Sequence, residues 1–231
     1  MFSYGGNSNI AEFRITELKS LMRNTFRELY CFEDLIDMRN KEEDLFGSID
    51  KKSPIIFISE PVKAGGYDKC VMVHNSEKSC LKPSTTVNFS MIGNDISSLK
   101  VYIKLLLQAS VIGSLGMRSR KGCGSFKIKS IEVDTKKYEE LLDKTPFQIL
   151  QDGKSSIKYK LRGTQKSFET CLEYNELPQE CNYPYVRKIN IIKLSNNLEY
   201  MNLIKKISQL THYRLKKQEE HSFLNDIEVN E

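Results

Sequence analysis

Three cations set among four glycines form the segment of this sequence best equipped for chemistry. It reads Gly113-Ser-Leu-Gly116-Met-Arg118-Ser119-Arg120-Lys121-Gly122-Cys-Gly124-Ser125-Phe126, with all four glycines inside twelve residues. Glycine permits positive φ and lets a ligand approach the main chain closely. No acidic residue occurs anywhere from Ile96 to Ile131. Exposed amides beside unopposed cations suit a phosphate backbone. A basic loop without a ligand is the plain alternative, and composition weighs the two evenly.

Two nucleotide-binding motifs fail on context. A P-loop needs its glycines and Gly-Lys-Ser/Thr between a strand and the helix that follows. The dinucleotide fingerprint also needs a strand before it and a helix after it. Here the pattern places the loop between a helix and a strand.

A second cationic feature lies upstream. Lys19, Arg23 and Arg27 recur at i, i+4 and i+8, one stripe of a helix clear of its apolar residues. Such stripes are often only solvated, and Glu28 lies close by. In a ferredoxin-like unit both helices pack on one face of the sheet, so the stripe and the glycine loop could border one groove. A third basic run, Lys154, Lys158, Lys160, Arg162 and Lys166 with Tyr159, reads best as a surface segment.

Six cysteines are scattered without a Cys-x-x-Cys pair. Cys70, His74 and Cys80 form the tightest group, but they fall one short of the four ligands zinc usually takes. No signal-peptide pattern opens the chain, and no apolar run approaches the ~18 residues of a membrane span. The expectation is a cytoplasmic protein with reduced, mostly buried thiols and no membrane partner.

The elements that position these residues follow from periodicity. Leu18, Leu21, Met22, Phe26 and Leu29 predict an amphipathic helix from Thr16, its cap, to about Phe32. The charged stretch Lys41-Glu-Glu-Asp44 reads as leading into a loop at Leu45-Phe46-Gly47. Strands are expected at Ile55–Ile58, Val71–Val73 and Thr85–Ile92, with Ser76–Ser84 as a hairpin end. A second helix spans Ile96 to about Ile112, burying Leu99, Tyr102, Ile103 and Leu106. A strand from Phe126 to Val133 follows the glycine loop. Beyond Pro146 the pattern weakens to a strand at Val186–Leu194 and a helix at Leu198–His212, and Lys216 to Glu231 is polar. The fold class is α+β, a ferredoxin-like (RRM-like) βαββαβ unit whose first strand is short or missing. The division expected is 1–144 for this unit and 145–231 for a second, abbreviated α+β half. At 231 residues, 39% hydrophobic and 10% aromatic without tryptophan, the chain can build such cores from Phe and Tyr. A formal charge of +5 is a mild basic excess that fits nucleic acid without requiring it.

The first helix and the loop carry a family resemblance. Ala11-Glu-Phe-Arg14-Ile-Thr-Glu-Leu-Lys19-Ser-Leu-Met-Arg23-Asn-Thr-Phe-Arg27-Glu-Leu resembles the first helix of RAMP proteins in type III CRISPR systems. The likeness runs closest to the first-subunit family of the Cmr (type III-B) module. That family shows an Arg, a Ser-x-Lys-Gly turn, then Arg-Phe-Trp-x-Arg-Ala. Arg14, Lys19, Arg23 and Arg27 match, whereas Asn24 and Thr25 stand in place of the aromatics and Ser20 in place of the glycine. Leu45-Phe46-Gly47 is similar to that family's Leu-Phe-Gly. The loop is similar to the RAMP signature Gly-Gly-x-Gly-x-Arg-Ser-Arg-Arg-Gly-x-Gly-Ser. Gly113, Gly116, Arg118, Ser119, Arg120, Lys121, Gly122, Gly124 and Ser125 match it, with Ser114 replacing one glycine. A fainter likeness runs from Tyr183 to His212.

The resemblance implies two ferredoxin-like halves, although the chain is short for both. It implies a non-catalytic subunit without a cofactor, at one end of a crRNA-bearing filament of other RAMP subunits, near the 3′ part of the guide and helping to capture target RNA. The expected RNA contacts are Arg14, Lys19, Arg23 and Arg27 on the helix and Gly113, Gly116, Arg118, Ser119, Arg120, Lys121, Gly122 and Gly124 in the loop. The competing function is a RAMP-type endoribonuclease that processes CRISPR repeat RNA. Such nucleases rely on a histidine near the N-terminal end, and none precedes His74. The target-cutting subunits of the family use an aspartate before the first helix, and between Gly5 and Glu17 there is Glu12 but no aspartate. A purely structural spacer is the third reading.

Overall fold

In the computed structural model, the residues described are 11–62, 66–71, 77–83, 85–117, 123–134, 136–151, 161–165, 169–174, 183, 185–186 and 188–192. The first expected strand, the tip of the glycine loop, His74 and the expected helix Leu198–His212 lie outside them.

Helix α1 spans Ile15–Leu29 and buries Leu18, Met22, Phe26 and Leu29, the face that periodicity predicts. Its N-cap is Arg14 rather than Thr16, and no side chain caps it. The charged stretch read as a loop approach is instead a second helix, α2, Leu35–Phe46. Asp34 starts it by accepting from the Asp37 amide at 2.7 Å, a standard N-cap contact. Gly47 ends it at φ 76°, and a Cβ there would lie 2.6 Å from the Lys51 carbonyl oxygen. The signal was hidden because Met38, Glu42 and Phe46, buried at helical spacing, include a carboxylate.

Strands β1 (Ile55–Ser59) and β4 (Phe89–Gly93) pair antiparallel, with Phe57 opposite Met91 and Ile56 opposite Ile92. Between them β2 (Tyr67–Val71) and β3 (Glu77–Leu81) form a separate hairpin. The polar segment expected to be a hairpin end thus supplies a strand, and the expected strand Thr85–Ile92 begins only at Phe89. Cys80 is 1% exposed and engaged in a disulfide, a correction to the expected reduced thiol there. Cys31 and Cys123 are not in disulfides.

Helix α3, Ile96–Ile112, agrees with its expected span and is capped by Asp95, whose carboxylate accepts from the Ser98 amide at 2.8 Å. α1 and α3 pack together, α3 against β4 and α1 against β1, so both helices cover one face of the β1–β4 sheet. Ile55, Phe57, Phe89 and Met91 face them within the main core around Leu18, Met22, Phe26, Tyr102 and Leu105. The opposite face leaves Ile56, Ile58 and Ile92 at least half exposed. This is the layered α+β arrangement expected.

The strand expected from Phe126 to Val133 does not form as such. Phe126 and Ile128 pack on the core, but among the described residues the only ladder there is the short pairing of β5 (Glu132–Val133) with β6 (Lys136–Lys137). After α4 (Pro146–Gln151), β7 (Leu161–Gln165), β8 (Glu169–Tyr174) and β9 (Lys188–Ile192) form an antiparallel sheet in that order. Only β9 was anticipated; the basic run from Lys154 contributes Arg162 to β7. Tyr183 reaches back into the main core. Among the described residues no helix is long and apolar enough to cross a membrane.

Candidate nucleic-acid interface

The α1 stripe faces the C-terminal end of α2. There Glu42, 7% exposed, takes Arg27 in a fork: Nε to Oε2 at 2.5 Å and Nη2 to Oε1 at 2.7 Å. This bidentate bond raises the Arg27 pKa above its ordinary value. Arg23 approaches the same carboxylate at 3.6 Å. Its Nη2 also donates to the carbonyls of Phe46 and Gly47 at 3.2 and 2.5 Å, and its guanidinium lies over the Phe46 ring. These carbonyls sit at the end of α2, where acceptors lack helical partners and the dipole favours a cation. Arg23 and Arg27 therefore hold α2 against α1.

Lys19 has different surroundings. Its ammonium lies 5.8 Å from the Phe57 ring centroid. Its pKa is lowered by desolvation and by the neighbouring charge of Arg23. Arg14 pairs loosely with Glu12 at 3.8 Å and Glu17 at 3.6 Å.

The stripe forms one wall of an open groove of about 570 Å³, whose other wall is α2 and the loop from Gly47 to Ser53. That wall adds Arg39, Lys51 and Lys52, so six cations face the acids Glu42 and Glu43, and Ile49 is fully exposed in the lining. Sequence reasoning missed Arg39, Lys51 and Lys52. Recognising α2 from its Asp34 cap and Gly47 terminator would have brought them to the stripe.

The described glycines of the loop serve different ends. Gly116 and Gly124 do have φ of 81°. Gly113 is extended, at φ −123° and ψ 175°; it is small because a Cβ would meet Leu21 Cδ1 of α1 at 2.5 Å. A Cβ on Gly124 would lie 1.8 Å from the Leu115 carbonyl oxygen, and the Leu115 amide donates to the Gly124 carbonyl at 3.0 Å. The loop is thus pinched shut at its base. Arg118, Ser119, Arg120, Lys121 and Gly122 fall outside the described residues. Leu21 lies about 200° round α1 from Lys19, so the loop's root meets the side of the helix away from the stripe. No described loop residue lines the groove.

Among the described residues no group of three metal-ligating side chains forms. Comparison with known proteins bears on this geometry. The crystal structure of Cmr1 from Pyrococcus furiosus in its apo form superposes with a TM-score of 0.50 at 19% identity. The match covers 67% of this chain and 56% of that one, so the chain spans just over half the length of that protein. At this identity the likeness shows a shared fold. No curated protein sequence matches. The RAMP superfamily model matches residues 4–127, more than half of the chain and all of the segment holding the stripe, the groove and the glycine loop, and the chain belongs to that superfamily.

Proposed function

We propose that the chain is a non-catalytic RNA-binding subunit of a type III CRISPR effector complex, contacting crRNA or target RNA beside other RAMP subunits. The observation that carries this reading is the groove between α1 and α2, where six cations meet two acids. RAMP membership supports it, as does the sequence of the glycine loop, whose base is closed by the Leu115–Gly124 bond and whose glycines and cations suit phosphates. Arg118, Arg120 and Lys121 supply the charge in that loop.

The processing-nuclease alternative requires a base free to take a proton. In the groove Glu42 is the buried carboxylate, and both its oxygens are committed to guanidinium. Incubating the protein with CRISPR repeat RNA and finding specific cleavage would favour the nuclease. For the RNA-binding reading, log affinity for single-stranded RNA is expected to fall with log salt by about 0.7 per phosphate contacted. Arg118→Ala with Arg120→Ala is expected to weaken association with crRNA or target RNA several-fold at an unchanged melting temperature. Full affinity of that variant in the assembled complex would remove the loop from the interface.

A further inference from the structure

We infer that the groove's RNA contacts are made by Lys19, Arg39 and Lys52 with Ile49 as an apolar contact, while Arg23 and Arg27 are positioning residues. This rests on the RNA-binding reading and divides its cations into two kinds.

Arg27 is neutralised by a forked bond to a carboxylate that is 7% exposed. Arg23 places Nη2 on the Phe46 and Gly47 carbonyls at the end of α2. Redirecting either to a phosphate exposes a buried acid or the helix end. Lys51 is tied to Asp44. The three remaining cations of the lining, Lys19, Arg39 and Lys52, form no ion pair among the described residues. Arg39 and Lys52 are exposed, and Glu43 is the exposed acid that an RNA strand must avoid. Lys19 already carries a cost from burial and from the Arg23 charge, which an incoming anion relieves.

Ile49 adds a second kind of contact. A fully exposed isoleucine amid lysines and arginines offers an aliphatic face to a ribose or base. An anion site for a small ion has no use for it, whereas a nucleotide strand presents apolar and anionic surface together.

The test is fluorescence anisotropy of a labelled oligouridine bound to the full chain across a salt series. Arg39→Ala with Lys52→Ala is expected to make the salt dependence shallower by about 1.4 in log–log slope and to lower affinity roughly tenfold at ~0.1 M salt. Ile49→Ser is expected to lower affinity several-fold with the slope unchanged, because it releases no counterion. Both variants should melt at the wild-type temperature, since all three side chains are exposed. Arg27→Gln is expected to lower the melting temperature while changing the slope less than the Arg39/Lys52 pair. If wild-type protein binds RNA but the double variant keeps the same slope, the site is elsewhere and the broader function stands. If RNA binding is unaffected and assembly with other subunits is weakened, the groove takes an acidic protein face and this inference fails. If the wild type binds no RNA, alone or in its complex, the RNA-binding reading falls and this inference with it.

Discussion

Glu42 and Arg27, fifteen residues apart, meet as a forked carboxylate–guanidinium pair, with bonds of 2.5 and 2.7 Å, on the seam between α1 and α2. The acid is buried and the base is 38% exposed. The pair thus sits between a surface bridge, worth ~0.5 kcal/mol, and a buried one, whose breakage costs ~3 kcal/mol or more. Glu42→Gln keeps the shape and removes the charge. It is expected to cost about 1–2 kcal/mol in a denaturant titration. The same change makes the groove more positive, so RNA affinity per folded molecule is expected to rise. Loss of affinity in the folded Glu42→Gln protein would mean that the arginines need their partner to meet RNA.

The same seam shows what could be read from residues alone. α1 and α3 were legible because Leu18, Met22 and Phe26, and Tyr102, Ile103 and Leu106, repeat at helical spacing without interruption. α2 was not, because its buried stripe includes Glu42 and hydrophobic periodicity cannot see a carboxylate held by two arginines. Phe126 and Ile128 alternate inward as a strand should, yet a strand also needs a neighbour, which alternation does not encode and which no described residue supplies. For the site, the stripe was visible as spacing, but its division into holding and free cations depends on α2. Gly113 was legible as part of the glycine cluster, but which constraint applies to it was not: closeness to Leu21 requires its size, and that depends on how α1 packs against the end of α3.

Tyr183 provides a stability prediction that links distant parts of the chain. Its hydroxyl accepts from the Phe32 amide and donates to the Phe32 carbonyl, both at 2.8 Å, in a buried setting. Tyr183→Phe leaves two buried backbone groups unpaired. The expected loss is about 2–3 kcal/mol by chemical denaturation. A loss below ~0.5 kcal/mol would show that water reaches Phe32 once the hydroxyl is gone.

Alkaline pH tests two other tyrosines. Burial pushes Tyr30 up to about 12, opposed by a hydrogen bond with Gln108. Burial also pushes Tyr102 up to about 12, where its ring packs edge-on against Phe46 and Phe57 and its hydroxyl donates to the Leu45 carbonyl. Both ionise near 10 when unfolded. The folded state holds these protons more tightly, so stability is level below about pH 10 and falls as pH rises from about 10 to 12. Each tyrosine contributes a slope of about 1.4 kcal/mol per pH unit within that window. Tyr102→Phe is expected to cost about 1 kcal/mol at neutral pH and to make the alkaline fall shallower. An unchanged fall in that variant would assign the alkaline loss to other groups.

The two described glycines at the ends of the loop separate backbone strain from side-chain crowding. At Gly124 a methyl group meets a fixed carbonyl oxygen at 1.8 Å and the residue has φ of 81°. The left-handed conformation alone costs an L-residue about 1–2 kcal/mol, and relief of the clash requires opening the Leu115–Gly124 bond. At Gly113 the obstacle is chiefly the end of the Leu21 side chain at 2.5 Å, which can rotate or be removed. Gly124→Ala is therefore expected to lower both the melting temperature and RNA affinity, with no single partner substitution restoring them. Gly113→Ala is expected to cost less, and Leu21→Ala combined with it to recover about 1 kcal/mol relative to the sum of the single changes. A double-mutant cycle by thermal denaturation measures this coupling. Additivity within ~0.3 kcal/mol would mean that Gly113 is constrained by the nearby Ala109 carbonyl rather than by Leu21. A mild Gly124→Ala, with RNA affinity intact, would show that the loop functions without its pinched base.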